Sequence, residues 1–320
     1  WCYAYATTGE ATYYTQARKA LDAMQLLIDV PAADFEAAGL GGRGFITRSL
    51  VRDDEGDVFW SKSTQDNWHP TTWDGRDYYW KDDTSSDEYA GHFFGFPLFY
   101  DLCAQDDAER AAIGERAADA MDYIIDGGLR LLDLDGEKTT HGHWNPEVLA
   151  VAVDGLDVCI EVTGDFEACG ESWAGGGWLN SLEILGHLLA TWHMTGEPRF
   201  YEAYDTLVTE HRYFEVAMPH EETITVTKPG FMNHSDHELA FLAYATIIRY
   251  EPDDKRRAQW ITSMRFLYDH ERVERNPLWT AFAALGGGYD VVAGDVDAAL
   301  ESLREMPFDR RELAIDNTHR

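Results

Sequence analysis

The sequence has little positive charge: 26 Lys and Arg residues stand against 58 Asp and Glu residues, and the formal net charge is −32. Nucleic-acid-binding proteins need basic patches to displace counterions from phosphates, so that class is excluded, as is docking on anionic lipid. Long apolar runs are also missing. The longest, Leu239 to Ile248, is far shorter than the roughly 20 residues needed to cross a bilayer, so we expect no membrane insertion.

Lysine is especially scarce, because most of the basic residues are arginines. An acid-rich, lysine-poor surface keeps a protein hydrated in concentrated salt, where the Debye length falls to about 3 Å at 1 M. The acidic residues are spread over the whole chain, which favours a solvated acidic coat over a dedicated cation-binding surface. We therefore predict a halophilic protein in a high-salt environment, secreted or at the cell surface.

Cysteine is limited to four residues, Cys2, Cys103, Cys159 and Cys169, and none forms a C-x-x-C pair. A zinc ribbon and a thioredoxin-type redox site are therefore unsupported. Cys159 and Cys169 flank a turn-like stretch and are candidates for a short disulfide loop. Buried free thiols explain them equally well at this stage.

Helical periodicity dominates what is present, since apolar residues recur at i, i+3, i+4 and i+7. A Thr-Gly-acid joint, in which glycine ends one helix and the acid opens the next, occurs at residues 8–10, 163–165 and 195–197. The pattern predicts an all-α string of antiparallel hairpins, with residues 222–226 as the best strand candidate. The predicted helices cover residues 10–29, 86–104, 107–126, 176–194, 197–212, 235–250 and 253–270.

Three of these helices open with a related phrase in which Ser or Asn is followed three residues later by Glu. The pairs are Ser85/Glu88, Asn180/Glu183 and Ser235/Glu238. This spacing is the capping-box pattern, in which the glutamate folds back onto the helix start. The repetition predicts equivalent helix pairs that stack into a solenoid or close into a ring.

The phrases KDDTSSDEYAGHFFGFPLFYDL, LNSLEILGHLLATWHMTGE, NHSDHELAFLAY and ERNPLWTAF, together with the repeated joints, resemble the α/α-toroid of six-hairpin glycosidases and toroidal polysaccharide lyases. They are also similar to a group of bacterial and archaeal proteins of that architecture. The resemblance implies a single α/α-toroid domain over residues 1–320, with long aromatic-rich loops. Such rings contain more helices than we count here, so we expect a chain truncated at both ends.

In a toroid, the starts of the inner helices surround one funnel, and many of the histidines fall there. Histidine is the commonest general acid–base near neutral pH. A glycosidase needs two carboxyl groups, for which we predict Asp87 and Asp236, with Asp83 in reserve and Glu147 as the more desolvated acid. A uronate lyase needs a base and groups that neutralise the substrate carboxylate. His143, His234 and Asn233, with Arg48 or Arg76, fit that role.

A polar loop dense in aromatics follows residue 67, and its rings Trp68, Trp73, Tyr79 and Trp80 are typical of sugar-stacking subsites. The alternative is that these rings plug the interior between helices. His92 and His187 each follow a glutamate by four residues on one helix face, so each is either a working or a buried, satisfied histidine. The remaining predicted substrate-binding residues are Trp144, Asn145 and Asn180.

Metal ligation has weak support in the sequence. His141-Gly142-His143 offers two ligands, but no HExxH frame accompanies them, so we predict neither a metal nor a cofactor. The leading hypothesis is a glycoside hydrolase acting on an oligo- or polysaccharide with paired carboxylates. A uronate lyase and a non-catalytic helical repeat protein that binds a glycan or a partner are the alternatives.

Overall fold

The computed structural model describes residues 1–55, 67–150, 154–172, 176–219 and 234–306. The strand candidate at residues 222–226 and the predicted site residue Asn233 lie outside these residues. The described residues are mostly helical and contain fourteen α-helices, which confirms the predominantly helical class. Closure of the helices into a toroid stays a prediction.

Two helices and a small antiparallel sheet form the first part of the chain. They are α1 (Cys2–Thr8), α2 (Ala11–Ala37), β1 (Ser49–Arg52), β2 (Trp68–Trp73) and β3 (Arg76–Lys81). The strand order is β1-β3-β2, and Trp80 of β3 lies opposite both Leu50 and His69. The sequence does not predict this sheet, because its aromatic residues stand among polar ones in a pattern typical of a loop.

The rest of the described chain alternates long helices with short ones and a two-stranded ribbon. The elements are α3 (Ser86–Leu102), α4 (Asp107–Asp126), β4 (Arg130–Leu132), β5 (Lys138–His143), α5 (Pro146–Leu149), α6 (Leu156–Thr163), α7 (Phe166–Glu171), α8 (Gly177–Thr195), α9 (Pro198–Thr209), α10 (Tyr213–Val216), α11 (His234–Tyr250), α12 (Asp254–Glu271), α13 (Pro277–Gly287) and α14 (Val296–Glu305). Single 3₁₀ turns cover residues 53–55, 272–274 and 289–291. The predicted helix segments agree with these bounds within a few residues, except that α2 continues to Ala37.

Helix α8 lies at the centre of the core. It is apolar on nearly every face, as expected of a helix buried all round, and it packs against α3, α4, α9 and α11. Helix α3 also contacts α11 directly, so α3, α8 and α11 form a trio of central helices. Each is followed by a partner in the order α3–α4, α8–α9 and α11–α12, and α13–α14 adds a fourth helix pair.

Local capping explains where the hairpins turn. The predicted joints are confirmed, since Gly9, Gly164 and Gly196 end helices in the left-handed region with φ of 72, 68 and 69°. Residues with a Cβ rarely adopt that region, so glycine suits each joint. Asp106 and Asp253 cap the next helices by accepting backbone N–H groups of Glu109 and Arg256.

The three predicted capping boxes have different outcomes. The box of Ser85 and Glu88 is confirmed at the start of α3. The one predicted for Glu183 is wrong, because α8 begins at Gly177 and places Glu183 inside the helix with a fully buried side chain. Ser235 also lies inside its helix rather than at the N-cap, because α11 begins at His234.

Both disulfides that four cysteines allow are formed. Cys2–Cys103 ties α1 to the end of α3, and Cys159–Cys169 joins α6 to α7. The disulfide alternative for Cys159 and Cys169 therefore holds over free thiols. In the described part of the chain, each helix is too short or too polar to cross a bilayer.

Candidate active site at the amino ends of the central helices

Three carboxyl groups lie near the start of the trio of central helices and interact electrostatically. Asp87 lies in the first turn of α3 and is exposed, and Asp236 lies in the first turn of α11 and is half-buried. Glu183, on α8 between them, has 0% of its surface exposed. The negative charges of Asp87 and Asp236 both act on Glu183, so the fold brings the two predicted catalytic aspartates to one locus around a third carboxyl group.

Burial raises the pKa of Glu183 well above its usual value, and the charge of Asp87 and then that of Asp236 raise it further. The Trp144 indole N–H and the Ser86 hydroxyl work against this rise. Neither group reaches the distance and angle of a hydrogen bond to Glu183, so both of its oxygens are without a hydrogen bond from the described residues. Glu183 therefore keeps its proton at pH values where an exposed glutamate has lost it.

Buried polar atoms without a hydrogen-bond partner concentrate at this end of the trio. In folded proteins such atoms are rare, and each calls for a specific explanation, one of which is a functional role. Among the described residues, those near the amino ends of the central helices are Thr84 Oγ1, His143 Nδ1, Trp144 Nε1, Asn145 Oδ1, Ser172 Oγ, Trp178 Nε1, both oxygens of Glu183, His187 Nε2, His237 Nδ1, both oxygens of Glu271 and Trp279 Nε1.

The end of β5 supplies a neutral histidine. His143 is buried, its Nε2 lies 3.2 Å from the carbonyl oxygen of Thr140, and its Nδ1 has no partner among the described residues. Burial lowers the pKa of His143, outweighing the nearby charges of Asp165 and Glu171. Asn180 donates its Nδ2 to the His143 carbonyl at 3.0 Å, which fixes the start of α8 to this strand.

Glu147 does not suit the proton-donor role expected of it. Asn145, the N-cap residue of the short helix α5, donates its Nδ2 to Glu147 Oε2 at 2.8 Å. That hydrogen bond holds the pKa of Glu147 below its usual value, and the side chain is exposed. Glu147 is therefore an ordinary carboxylate at neutral pH.

Asp83, the reserve catalytic residue, holds the loop before α3. It has a left-handed φ of 48°, its Oδ1 accepts the Thr140 N–H at 2.8 Å, and its own N–H donates to Asp133 Oδ1 at 3.0 Å. Arg48 donates to the Asp83 carbonyl at 2.9 Å. Burial, with the charges of Asp82 and Asp83, raises the pKa of Asp133 to about 7.

The predicted sugar-stacking rings fall into two groups. Trp80 and Trp144 are fully buried, and Trp80 packs on Phe35 and Phe45 while donating its Nε1 to Asp34 at 2.7 Å. These two rings fill the interior, as the alternative interpretation proposes. Trp68, Trp73 and Tyr79 are half-buried on the sheet, and Arg76 is exposed at the β2–β3 turn.

His92 and His187 are buried in the core. Both ring nitrogens of His92 face backbone carbonyls, those of Glu88 and Met24, and burial lowers its pKa. His187 stacks on Phe93 with ring centroids 4.4 Å apart, and burial lowers its pKa to about 3. Both are therefore neutral near pH 7, and neither can supply a proton as an imidazolium.

His234, predicted for the lyase role, lies beside a second unsatisfied carboxyl group. Its Nδ1 is 3.6 Å from Glu271 Oε2, and His237 Nδ1 is 2.9 Å from Glu271 Oε1. Glu271 ends α12 and is 1% exposed, whereas the His234 side chain is 45% exposed. His234 also borders a cleft of about 860 Å³ whose other lining residues include Glu274, Asn276 and Trp279.

The sequence predicts neither Glu183 nor Glu271 as a site residue. Glu183 follows Asn180 by three residues, which is the spacing of a capping box. Its apolar neighbours Leu182, Ile184 and Leu185, in a helix that is apolar on all sides, indicate burial instead. Glu271 carries no comparable signal, because its burial depends on how α11 and α13 pack against the end of α12.

Comparison with protein-family models, with curated proteins and with solved structures gave no match to this chain.

Proposed function

We propose that this protein is a glycoside hydrolase that cleaves an oligo- or polysaccharide with the carboxyl groups of Asp87 and Asp236. The observation that carries the proposal is a fully buried Glu183 on which the charges of both Asp87 and Asp236 act, so that three carboxyl groups interact at one end of the trio. A glycosidase requires one protonated and one ionised carboxyl group on the two sides of the scissile bond. Groups whose surroundings push their pKa values apart meet that requirement at a single pH.

The three carboxyl groups have distinct roles in this proposal. Asp87 and Asp236 meet the substrate, since they retain exposed surface at the start of their helices. A helix amino end favours the ionised form, which suits a base or a nucleophile. In the proposal one aspartate is the base or nucleophile and the other is the proton donor. Glu183 is a positioning residue beneath them: burial raises its pKa, so it is the protonated neighbour from which the donor aspartate is resupplied.

The substrate class is suggested by the half-buried rings. A net charge of −32 repels polyanions in dilute buffer, but the molar salt predicted for this protein screens that repulsion, so the charge does not select a neutral glycan over a uronic-acid one. Trp68, Trp73 and Tyr79 keep part of their surface exposed whereas Trp80 and Trp144 are buried, so we assign sugar stacking to the first three. The two disulfides support a secreted or cell-surface protein, because disulfides persist in oxidising compartments.

One observation favours a lyase as the second candidate. A β-eliminating lyase needs a neutral base, and His143 has a lowered pKa with an unpartnered Nδ1. Its burial counts against direct contact with a polymer, so we place hydrolysis first.

The test is an assay at molar KCl on a panel of neutral and uronic-acid polysaccharides. It records new reducing ends and the ultraviolet absorbance of an unsaturated uronide together. Reducing ends without absorbance, lost in Asp87→Asn and Asp236→Asn, support hydrolysis. Absorbance that persists in those variants and is lost in His143→Ala identifies a lyase. If folded protein produces neither reducing ends nor absorbance, the hydrolase and lyase proposals are both overturned and a binding protein is favoured.

The role of Glu183 needs a readout that a structural residue would not move. Glu183→Gln mimics the protonated carboxyl but cannot release its proton. We expect this variant to fold, to lose most activity and to change the limb of the pH–rate profile that belongs to the carboxyl trio. A profile identical in shape to that of the wild type contradicts the assignment.

A further inference from the structure

We propose that His234, His237 and Glu271 bind a zinc ion at the mouth of the cleft beside α11. Side chains three residues apart lie on one face of a helix, so His234 and His237 both project from α11 toward the end of α12. One ring nitrogen of each histidine and a carboxylate oxygen of Glu271 all lie within 4.8 Å of one another. This site does not depend on the proposed hydrolase activity.

The unsatisfied state of Glu271 is the first argument. Its side chain is 1% exposed, and neither oxygen has a hydrogen bond from the described residues. A buried carboxylate without a partner is costly, so such groups are paired or coordinate metals. Among the described residues its ionic contacts are His234 and His237, and the Nδ1 of His237 lies 2.9 Å away without the alignment of a hydrogen bond.

The spacing of the ligand atoms is the second argument. Zinc bonds of about 2.0–2.1 Å in a tetrahedron place ligand atoms about 3.3 Å apart. The two oxygens of Glu271 each approach one histidine, with 2.9 Å from Oε1 to His237 Nδ1 and 3.6 Å from Oε2 to His234 Nδ1, and these separations lie on either side of that value. Imidazole nitrogen with a carboxylate oxygen suits zinc better than calcium or magnesium, which prefer oxygen ligands.

Access to solvent is the third argument. His234 is half-exposed and borders the cleft of about 860 Å³, so an ion can reach the buried pair from that side. Two histidines and one glutamate leave a fourth tetrahedral position open. Closed structural zinc sites use four protein ligands, whereas three ligands with an open position are typical of zinc that binds a small molecule or water. We therefore infer an exchangeable zinc ion that faces the cleft.

The experiment uses the whole protein, stripped with a chelator, dialysed and titrated with ZnCl₂. We expect one zinc per chain by mass spectrometry of the metal, a saturating calorimetric isotherm and a higher melting temperature with zinc. CaCl₂ should produce neither binding nor a shift. Failure to retain zinc at a one-to-one ratio overturns the site.

Single substitutions distinguish a loss of zinc binding from a loss of the fold. His234→Ala removes a half-exposed ligand and should leave the fold intact while it weakens zinc binding by more than the roughly 10–100-fold typical of outer-shell changes. Glu271→Gln, a neutral substitution of similar size, should have the same effect. His270→Ala is the matched control, since His270 contacts the Phe266 carbonyl instead of the cluster. Zinc affinity that is unchanged in His234→Ala and Glu271→Gln contradicts the proposal, as does equal weakening in His270→Ala.

Discussion

Both ends of the trio of central helices contain buried or half-buried carboxyl groups near histidines, but the two ends differ in how these carboxyl groups are hydrogen-bonded. At the carboxyl end, Asp101 of α3 accepts hydrogen bonds from His193 Nε2 at 2.7 Å and from the Tyr250 hydroxyl at 2.9 Å. Arg249 adds an ion pair at 3.0 Å. At the amino end, Glu183 and Glu271 are buried more deeply, yet neither has a hydrogen bond from the described residues.

The pKa values show the same difference. Burial alone would raise the pKa of Asp101, but the hydrogen bonds from His193 and Tyr250 and the charge of Arg249 outweigh burial and hold it below its usual value. Burial raises the pKa of Glu183, and the opposing effects of the Trp144 indole N–H and the Ser86 hydroxyl do not offset it. An unsatisfied buried polar group costs about 1–3 kcal/mol, so the amino end of the trio lowers the stability of the fold. Proteins retain such groups where function needs them.

The largest expected effect is on activity at the amino end. Asp87→Asn should reduce glycan cleavage by about 10²–10⁴-fold, the usual contribution of a catalytic acid or base. Its unfolding free energy should change by less than about 0.5 kcal/mol because the side chain is exposed. Asp107→Asn, a first-turn aspartate on the outer helix α4, is the matched control and should keep full activity. Equal losses of activity in Asp87→Asn and Asp107→Asn would contradict a catalytic role for Asp87.

The next effect is on stability at the carboxyl end. Asp101→Ala leaves His193, Tyr250 and Arg249 without their shared acceptor and should lower the unfolding free energy by about 1–3 kcal/mol, with kcat unchanged. The stabilisation from Asp101 is present above pH 3.8, the usual value, and is lost as pH falls through its lower folded pKa. Denaturant titrations at neutral and acidic pH measure both effects. A drop in kcat without a drop in stability would contradict the comparison.

Glu183→Gln should raise the unfolding free energy at neutral pH, whereas Asp101→Ala lowers it. Because the folded pKa of Glu183 lies above 4.5, the contribution of Glu183 to stability falls as pH rises from 4.5 toward its folded pKa. The glutamine variant avoids that loss, so it should be more stable than the wild type at neutral pH. The gain should shrink toward pH 4.5. The exposed Glu238→Gln is the control and should show no such gain.

The smallest effect is expected at Asp133, beside the site. Its folded pKa of about 7 means that its contribution to stability falls between pH 3.8 and about 7. Asp133→Asn keeps an acceptor for the Asp83 N–H and should be more stable above pH 7, by on the order of 1 kcal/mol after allowance for its partial exposure. Melting temperatures of the two proteins between pH 4 and 8 should converge at the acidic end. Parallel curves would show that Asp133 does not titrate in this range.

The sequence predicts the helices well and the site only in part. Periodicity and the Thr-Gly-acid joints locate the long helices, because helix formation and capping depend on residues close in the chain. The convergence of Asp87 and Asp236 follows from equivalent helix starts. The burial of Glu183 and Glu271, the ionised state of Glu147 and the interior position of Trp80 depend on packing between distant segments. Local sequence patterns do not predict that packing.

The disulfide between Cys2 and Cys103 has a practical consequence. It closes a covalent loop over a sequence separation of 101, which contains α1, α2, the sheet and α3. A protease cut at any one peptide bond inside this loop leaves a molecule of unchanged mass apart from one added water. Nicked and intact protein will therefore migrate as one species on a non-reducing gel and separate into two fragments only after reduction. Purity judged without a reducing agent will miss a broken chain.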